Sequence, residues 1–164
     1  MFTSLFSHKH AGRTLSACMV LLTAAFVFST VSCSQPAADD SETSASIYGT
    51  WTSSYDSYAI ASSTVTYNDG GYGYGWTGSL ESIKETDSTS GYIYVKYTTV
   101  GDSMFPSLVD KYIAVSYTSL GSSSVQMANA YKTGGATGES TLAEAAAEFT
   151  IDNGYYTYYG AYSK

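Results

Sequence analysis

From Ile47 onward the chain alternates tyrosine and β-branched residues with small polar residues, and this pattern constrains the fold more than any other feature. A period of two is typical of strands that bury one face. The clearest case is a repeat, in which residues 92–100 match residues 112–120. In each copy an isoleucine, a valine and a tyrosine share one face, whereas Lys96 and Ser116 lie on the other. The repeat predicts two neighbouring strands with Lys96 and Ser116 facing outward.

Turn signals divide the region into about eight short strands, the number that an up-and-down meander needs to close. Closure into a barrel removes the exposed edges of an open sheet. We therefore expect an all-β fold, an eight-stranded antiparallel meander barrel, with a bulge where alternation fails near Leu80. A turn is predicted at residues 88–91. The predicted strands are 47–53, 58–67 (one strand or two), 74–84, 92–100, 112–120, 123–132 and 155–162.

One helix is predicted before the last strand. Thr141 and Glu144 have the spacing of a capping box. A single apolar stripe follows at helical spacing, formed by Leu142, Ala145, Ala146 and Phe149. Asn153-Gly154 marks a turn, and the pattern leaves open whether residues 149–152 end the helix or begin a hairpin.

The first 32 residues predict an export signal. Residues 1–14 contain four basic or histidine side chains and no acid, and residues 15–32 carry no charge. The dense apolar core at residues 19–28 is shorter than the ~20 residues of a membrane-spanning helix. Cleavage is therefore favoured over a retained anchor.

Thr30-Val31-Ser32-Cys33 follows the apolar run and resembles the processing site of bacterial lipoproteins. Cys18 lacks a preceding apolar segment, so it is the weaker candidate. The resemblance implies that Cys33 carries a diacylglyceryl thioether and a fatty acyl chain, such as palmitate, on its amine. Ser34 then favours the outer over the inner membrane of the bacterial envelope. The alternative is an ordinary cysteine just beyond a plain secretory cleavage site.

The remaining chain divides into a tether and a domain. Residues 34–46 contain no aromatic and no large aliphatic residue, so residues 33–46 are predicted to form the lipidated cysteine and a disordered tether. Fully extended, the tether would span roughly 40–45 Å. Residues 47–164 form the predicted barrel domain.

The composition of residues 33–164 argues against catalysis and nucleic-acid binding. This part of the chain has no histidine, no arginine and one cysteine, so no Ser-His-Asp or Cys-His nucleophile can be built. No motif supports a paired-carboxylate site or a Ser–Lys dyad. Five lysines and 14 acids give a net charge of −9, which repels phosphates. We expect no enzyme activity, no cofactor and no metal, although calcium held by aspartate and backbone oxygens stays open.

Gly49-Thr50-Trp51 on the first predicted strand resembles the Gly-x-Trp signature of lipocalins and their calycin relatives. The resemblance implies an eight-stranded barrel with a helix near its end and with Trp51 plugging the closed end. Lipocalins usually pack an arginine on this tryptophan, and residues 33–164 have none. The chain is most similar to small bacterial lipocalin-like lipoproteins.

Two features suggest a binding surface. Residues 101–110 place several apolar residues in a loop, which predicts either a portal for a ligand or a loop that caps the core. Five of the 17 tyrosines crowd residues 155–162, either as an exposed aromatic surface or simply as strand formers.

These features predict a non-catalytic, lipid-anchored module that binds a small apolar or amphipathic ligand. The alternative is a surface protein whose exposed tyrosine faces bind another macromolecule, such as an envelope protein. The candidate ligand-binding residues are Trp51, Trp76, Tyr97, Met104, Phe105, Leu108, Tyr117 and Met127.

Overall fold

A computed structural model describes residues 45–164, which form a closed barrel of eight antiparallel strands in chain order. The meander barrel predicted from the sequence is confirmed, and its architecture is consistent with a lipocalin-like fold. Residues 1–44, including the predicted signal peptide, Cys33 and most of the tether, lie outside the described residues. The strands are β1 Gly49–Thr52, β2 Ser57–Ile60, β3 Thr64–Asn68, β4 Trp76–Asp87, β5 Ser90–Val100, β6 Tyr112–Thr118, β7 Ser124–Asn129 and β8 Gly160–Ser163.

The meander places alternate connections at opposite ends of the barrel. Loops 53–56, 69–75 and 101–111 and the long connection 130–159 lie at one end, which we call the mouth. The shorter turns and the chain end at Lys164 lie at the other, closed end. The barrel is completed by a single register pair between β1 and β8, Thr52 with Ser163.

The Gly-x-Trp motif lies at the closed end, where a lysine covers the tryptophan. Trp51 is fully buried and its Nε1 donates a hydrogen bond to the carbonyl of Ile47 at 2.7 Å. The Nζ of Lys164 lies 4.2 Å from the centroid of the Trp51 ring and donates to the carbonyl of Ser46. Gly49 has a φ of +129°, and a Cβ there would meet Cε of Lys164 at 2.9 Å. The positive φ favours glycine at this position, and Lys164 places a cation over the face of the Trp51 ring.

The repeat strands β5 and β6 pair as predicted, with Ile93 opposite Val115. The apolar residues of both copies point into the barrel and are buried: Ile93, Val95, Tyr97, Ile113, Val115 and Tyr117. The region from 58 to 67 forms two strands, β2 and β3. The bulge expected near Leu80 is present, because the β4–β5 register shifts between Leu80 and Ser82.

The outer face of β5 and β6 is covered by another part of the chain, which the sequence pattern did not indicate. Ser116 faces outward but is only 1% exposed. Its Oγ lies 2.8 Å from the Tyr159 hydroxyl, within hydrogen-bond distance. Tyr92 and Tyr94 on the same face are also buried, and Tyr92 packs against Tyr156. A second apolar layer thus lies outside the barrel, and alternation alone does not reveal it.

The predicted helix forms α1, Leu142–Glu148, and it supplies part of this second layer. Both hydrogen bonds of the Thr141–Glu144 capping box are present, and Phe149 at its end is fully buried. Residues 149–152 are neither helix nor strand, since a turn follows Phe149. None of the helices within residues 45–164 is long and apolar enough to cross a membrane.

Several predicted boundaries differ from the observed ones by a few residues, and two of the differences have a clear physical cause. The last strand begins at Gly160 rather than at residue 155, because the rings of Tyr155 and Tyr156 pack on the outer layer, against Phe149 and Tyr92. The turn predicted at 88–91 comprises only residues 88 and 89. The Asp87 carboxylate accepts hydrogen bonds from the backbone N–H and hydroxyl of Thr89, which makes this tight turn possible.

Candidate functional site

Two adjoining cavities open at the mouth of the barrel. One has a volume of about 430 Å³ and the other about 780 Å³. Tyr67, Asn129 and Tyr131 line both cavities, so the two lie side by side, and we call them together the cleft. Elsewhere the interior of the barrel is filled by buried apolar side chains such as Val65, Val95 and Val115.

The smaller cavity, which we call the apolar cavity, lies beneath the 101–111 loop. Its walls combine three aromatic residues from the strands with apolar residues from the loop and hydroxyls at the rim. No residue with a formal charge at neutral pH is among the described residues that line it. It is lined by Tyr67, Tyr74, Trp76, Tyr97, Ser103, Met104, Phe105, Leu108, Ile113, Asn129, Ala130, Tyr131, Gly135 and Thr137.

The larger cavity, which we call the tyrosine cavity, lies between the β1–β2 turn and the segment before β8. Seven of its lining residues are tyrosines, and Asp56 is the one with a formal charge among the described lining residues. It is lined by Ser53, Ser54, Tyr55, Asp56, Tyr58, Tyr67, Met127, Ala128, Asn129, Tyr131, Thr133, Tyr155, Thr157, Tyr158, Gly160, Ala161 and Tyr162.

The structure brings together six of the eight candidate residues. Those that line the apolar cavity are Trp76, Tyr97, Met104, Phe105 and Leu108, and Met127 lines the tyrosine cavity. Trp51 lies at the closed end beneath Lys164 and lines neither cavity. Tyr117 lines a separate cavity of about 390 Å³ together with Ile47 and Leu120, away from the mouth.

The 101–110 loop combines the two roles that the sequence left open. Leu108, in a short 3-10 helix at Pro106–Leu108, is 3% exposed and packs on the core. Phe105 is 58% exposed and borders the cavity opening. The loop therefore caps the core and also forms one wall of the cleft.

Five aromatic rings form a continuous wall that joins the two cavities. The order of the rings is Tyr162, Tyr58, Tyr67, Trp76 and Tyr97, on β8, β2, β3, β4 and β5. Successive centroids lie 5.2, 4.8, 5.9 and 5.5 Å apart. These spacings are those of favourable aromatic pairs, so each ring fixes the orientation of the next.

Asp56 connects this wall to the β1–β2 turn. Its Oδ2 accepts hydrogen bonds from the hydroxyls of Tyr67 and Tyr162, each at 2.9 Å, and its Oδ1 accepts one from the Ser53 hydroxyl. Burial, followed by the hydrogen bond to Asp56, raises the pKa of both Tyr67 and Tyr162 well above the usual range of a phenol. Both phenols therefore stay protonated at neutral pH and donate to a carboxylate.

Asn129 lies on β7 where the two cavities meet, and its polar group is incompletely bonded. Its Oδ1 is buried and has no hydrogen-bond partner within residues 45–164. A buried acceptor of this kind costs free energy and calls for an explanation. Because Asn129 lines both cavities, a donor group of a bound ligand is one source of the missing partner.

The cleft contains residues that the sequence analysis did not select, above all Asp56, Tyr58, Tyr67, Asn129 and Tyr162. One signal was present for Asn129, since it follows the inward-facing Val125 and Met127 at a period of two and is polar. Nothing in the pattern around Asp56 distinguishes it from other turn aspartates.

The described residues 45–164 contain no group of three or more His, Cys, Asp or Glu side chains placed to hold a metal ion. No protein-family model, no curated protein and no solved structure matches this chain. Arguments about the function of the cleft therefore depend on its own residues.

Proposed function

We propose that this chain is a lipid-anchored envelope lipoprotein of lipocalin-like type, whose barrel binds a small apolar or amphipathic ligand at its mouth. The observation that carries the proposal is a cavity of about 430 Å³ that the barrel's own side chains leave unfilled. Ligand pockets have volumes of about 300–1,000 Å³ and mostly apolar walls with a few polar groups. The apolar cavity has both properties.

The walls of the apolar cavity suit binding rather than chemistry. Trp76 and Tyr97, whose ring centroids lie 5.5 Å apart, provide aromatic surface against which an apolar group can pack. Burial raises the pKa of Tyr97 well above the usual range of a phenol, so this side chain is neutral. Such a site gains affinity by removing apolar ligand surface from water, at about 25 cal/mol per Å².

Gly135 offers a way to fill the cavity without disturbing the core. It lines the apolar cavity, and a Cβ added to it would meet nothing within 4 Å. Gly135 is exposed at the rim, so Gly135→Trp should be accommodated there and obstruct the opening of the cavity. Ala136→Trp places the same side chain on the next, exposed residue, which does not line the cavity, and serves as the matched control.

The test uses the neutral apolar dye N-phenyl-1-naphthylamine, whose fluorescence rises in apolar surroundings. We expect saturable binding to the purified protein, loss of at least tenfold in affinity in Gly135→Trp, and wild-type binding in Ala136→Trp. Dye that partitions into the acyl chains would affect both variants equally. Equal binding by both variants would place the dye elsewhere and remove the proposal's support.

The anchoring part of the proposal rests on Cys33 and is tested separately. Intact mass of protein extracted from membranes should show a chain that begins at Cys33 and carries acyl groups. Cys33→Ser should abolish the acylation. A chain without acyl groups, still containing residues 1–32, would contradict this part of the proposal and leave ligand binding untouched.

One observation favours a second function, the binding of another macromolecule. Tyr55, Tyr72 and Tyr158 are 80%, 73% and 87% exposed, and all three lie at the mouth end. Exposed tyrosines are enriched in protein interfaces. Replacing all three with serine should weaken cross-linking to a neighbouring envelope protein in cells if this function is correct, and should leave dye binding intact.

A further inference from the structure

We infer that the ligand is a cationic amphiphile, whose ammonium or amine head binds at Asp56 in the tyrosine cavity while its apolar part lies in the apolar cavity. This inference rests on the proposed function and gives the chemical class of the ligand.

The charge of the cleft is the first observation. Asp56 is the one residue with a formal charge among the described residues that line either cavity. Its carboxylate oxygens accept hydrogen bonds from three neutral hydroxyls, those of Ser53, Tyr67 and Tyr162. A carboxylate has about four lone-pair sites, so three hydroxyls leave room for one more donor.

Several lysines of the barrel are occupied elsewhere, so they do not neutralise this carboxylate. Lys96 pairs with Asp110 at 3.0 Å, and Lys132 pairs with Glu139 and Glu148. Lys164 covers Trp51 at the closed end. No ion pair of Asp56 occurs within residues 45–164, which leaves a place for a cation from outside the chain.

The aromatic walls are the second observation. Besides the two phenols that bond Asp56, the tyrosine cavity is lined by the rings of Tyr55, Tyr131, Tyr155 and Tyr158, and Tyr55 and Tyr158 are largely exposed. The faces of aromatic rings attract cations, and cages of such rings recognise quaternary ammonium groups. A carboxylate within an aromatic-lined cavity combines both attractions.

The connection between the cavities is the third observation. Tyr67 donates to Asp56 and also lines the apolar cavity, so one residue joins the charged and apolar parts of the cleft. Asn129 lies at the same junction with a buried, unbonded acceptor, which suits the N–H of an amine rather than another acceptor. A molecule that spans the junction would place its head and tail in chemically matched surroundings.

The net charge of the barrel also favours a cationic ligand. Residues 45–164 contain eleven acids and five lysines, so their net negative charge attracts cations to the barrel and repels anions. An anionic amphiphile, such as a fatty acid, would meet both this field and the Asp56 charge. The structure therefore opposes the anionic class.

The test compares three ligands with the same ten-carbon chain: decylammonium, decanol and decanoate. Each is titrated into the purified protein below its micelle concentration or, for decanol, below its solubility limit, and displacement of N-phenyl-1-naphthylamine is measured. We expect the cation to bind on the order of tenfold more tightly than decanol, and decanoate more weakly than both. The advantage of the cation should shrink as salt is raised.

Two charge-neutralising variants locate the effect. Asp56→Asn should remove most of the cation's advantage over decanol, so that the affinities for the two ligands converge. Asp152→Asn removes the same charge from an exposed turn that lines neither cavity, so it should leave the advantage intact. If Asp56→Asn fails to fold, the ranking of the three ligands and its salt dependence on the wild-type protein still decide the question.

The outcomes separate this inference from the proposed function. Equal binding of all three ligands, or a preference for decanoate, would overturn the cationic assignment but keep a ligand site at the mouth. Failure of all three to displace the dye, together with no effect of Gly135→Trp, would overturn the site itself.

Discussion

Replacing Asn129 with leucine should make the barrel more stable. The two side chains have the same branched shape and the same number of heavy atoms, but leucine carries no polar group. The Asn129 Oδ1 is buried and lacks a partner within the described part of the chain, and such a group costs about 1–3 kcal/mol. Asn129→Leu should recover this cost, so we expect the free energy of unfolding to rise by about 1–3 kcal/mol.

The assay is chemical unfolding followed by circular dichroism and tryptophan fluorescence, with Asn153→Leu as the opposite control. Asn153 is exposed, and its Nδ2 donates to the carbonyls of Ala147 and Glu148 at 3.3 and 2.6 Å at the end of α1. Because these bonds are made, Asn153→Leu should lower the free energy of unfolding by about 1 kcal/mol. The two asparagines should therefore change stability in opposite directions.

Asn129→Leu should also weaken ligand binding if Asn129 serves the binding site. Gain of stability with loss of affinity is the pattern expected of a residue that serves a site rather than the fold. If Asn129→Leu unfolds more easily than wild type, then the acceptor is bonded in solution, by water for example, and the reasoning from an unpaired buried group is wrong.

Two further predictions concern titration and the outer layer. Burial raises the pKa of Tyr58 and Tyr97, whereas the phenols of the unfolded chain ionise near pH 10. Above about pH 10 the unfolded chain therefore loses these protons while the folded barrel keeps them, and the free energy of unfolding falls as the pH rises. At about pH 11, each of these phenols lowers the free energy of unfolding by about 1.4 kcal/mol. The absorbance of tyrosinate should therefore appear together with the loss of circular dichroism. Ionisation of every tyrosine while the barrel stays folded would contradict this prediction. Lys132→Met should lower the free energy of unfolding by about 1 kcal/mol, because Lys132 joins two glutamates and lies over two aromatic rings. Lys96→Met should cost less because its partner is largely exposed, and equal losses in urea unfolding would contradict the importance assigned to Lys132.

Local patterns predicted the helix and most strands because their causes are local. The capping box depends on Thr141 and Glu144, three residues apart, and both of its hydrogen bonds form. The repeat placed Ile93 and Ile113 on buried faces because a strand turns successive side chains to opposite sides. The predicted strand boundary was wrong where tertiary packing competed with strand pairing, as at Tyr155 and Tyr156.

The candidate site was predicted in part. The apolar residues of the 101–110 loop were recognised because apolar side chains in a loop need a reason, and three of them line a cavity. Trp51 and Tyr117 were chosen on residue type, but they point toward the closed end, which sequence spacing cannot distinguish from the mouth. The inward or outward face is a local property, whereas depth along the barrel depends on register between strands.

By itself, the sequence determined that this region folds as a closed antiparallel sheet, because period-two alternation records at each residue whether it meets the core. Only the tertiary structure decided that Asp56 meets Tyr67 and Tyr162, the latter 106 residues away. It also decided that the outward Ser116 is buried, because the segment before β8 folds back over the barrel. Which inward residues share a level depends on strand register and barrel closure, and these are set by the packing of all eight strands together.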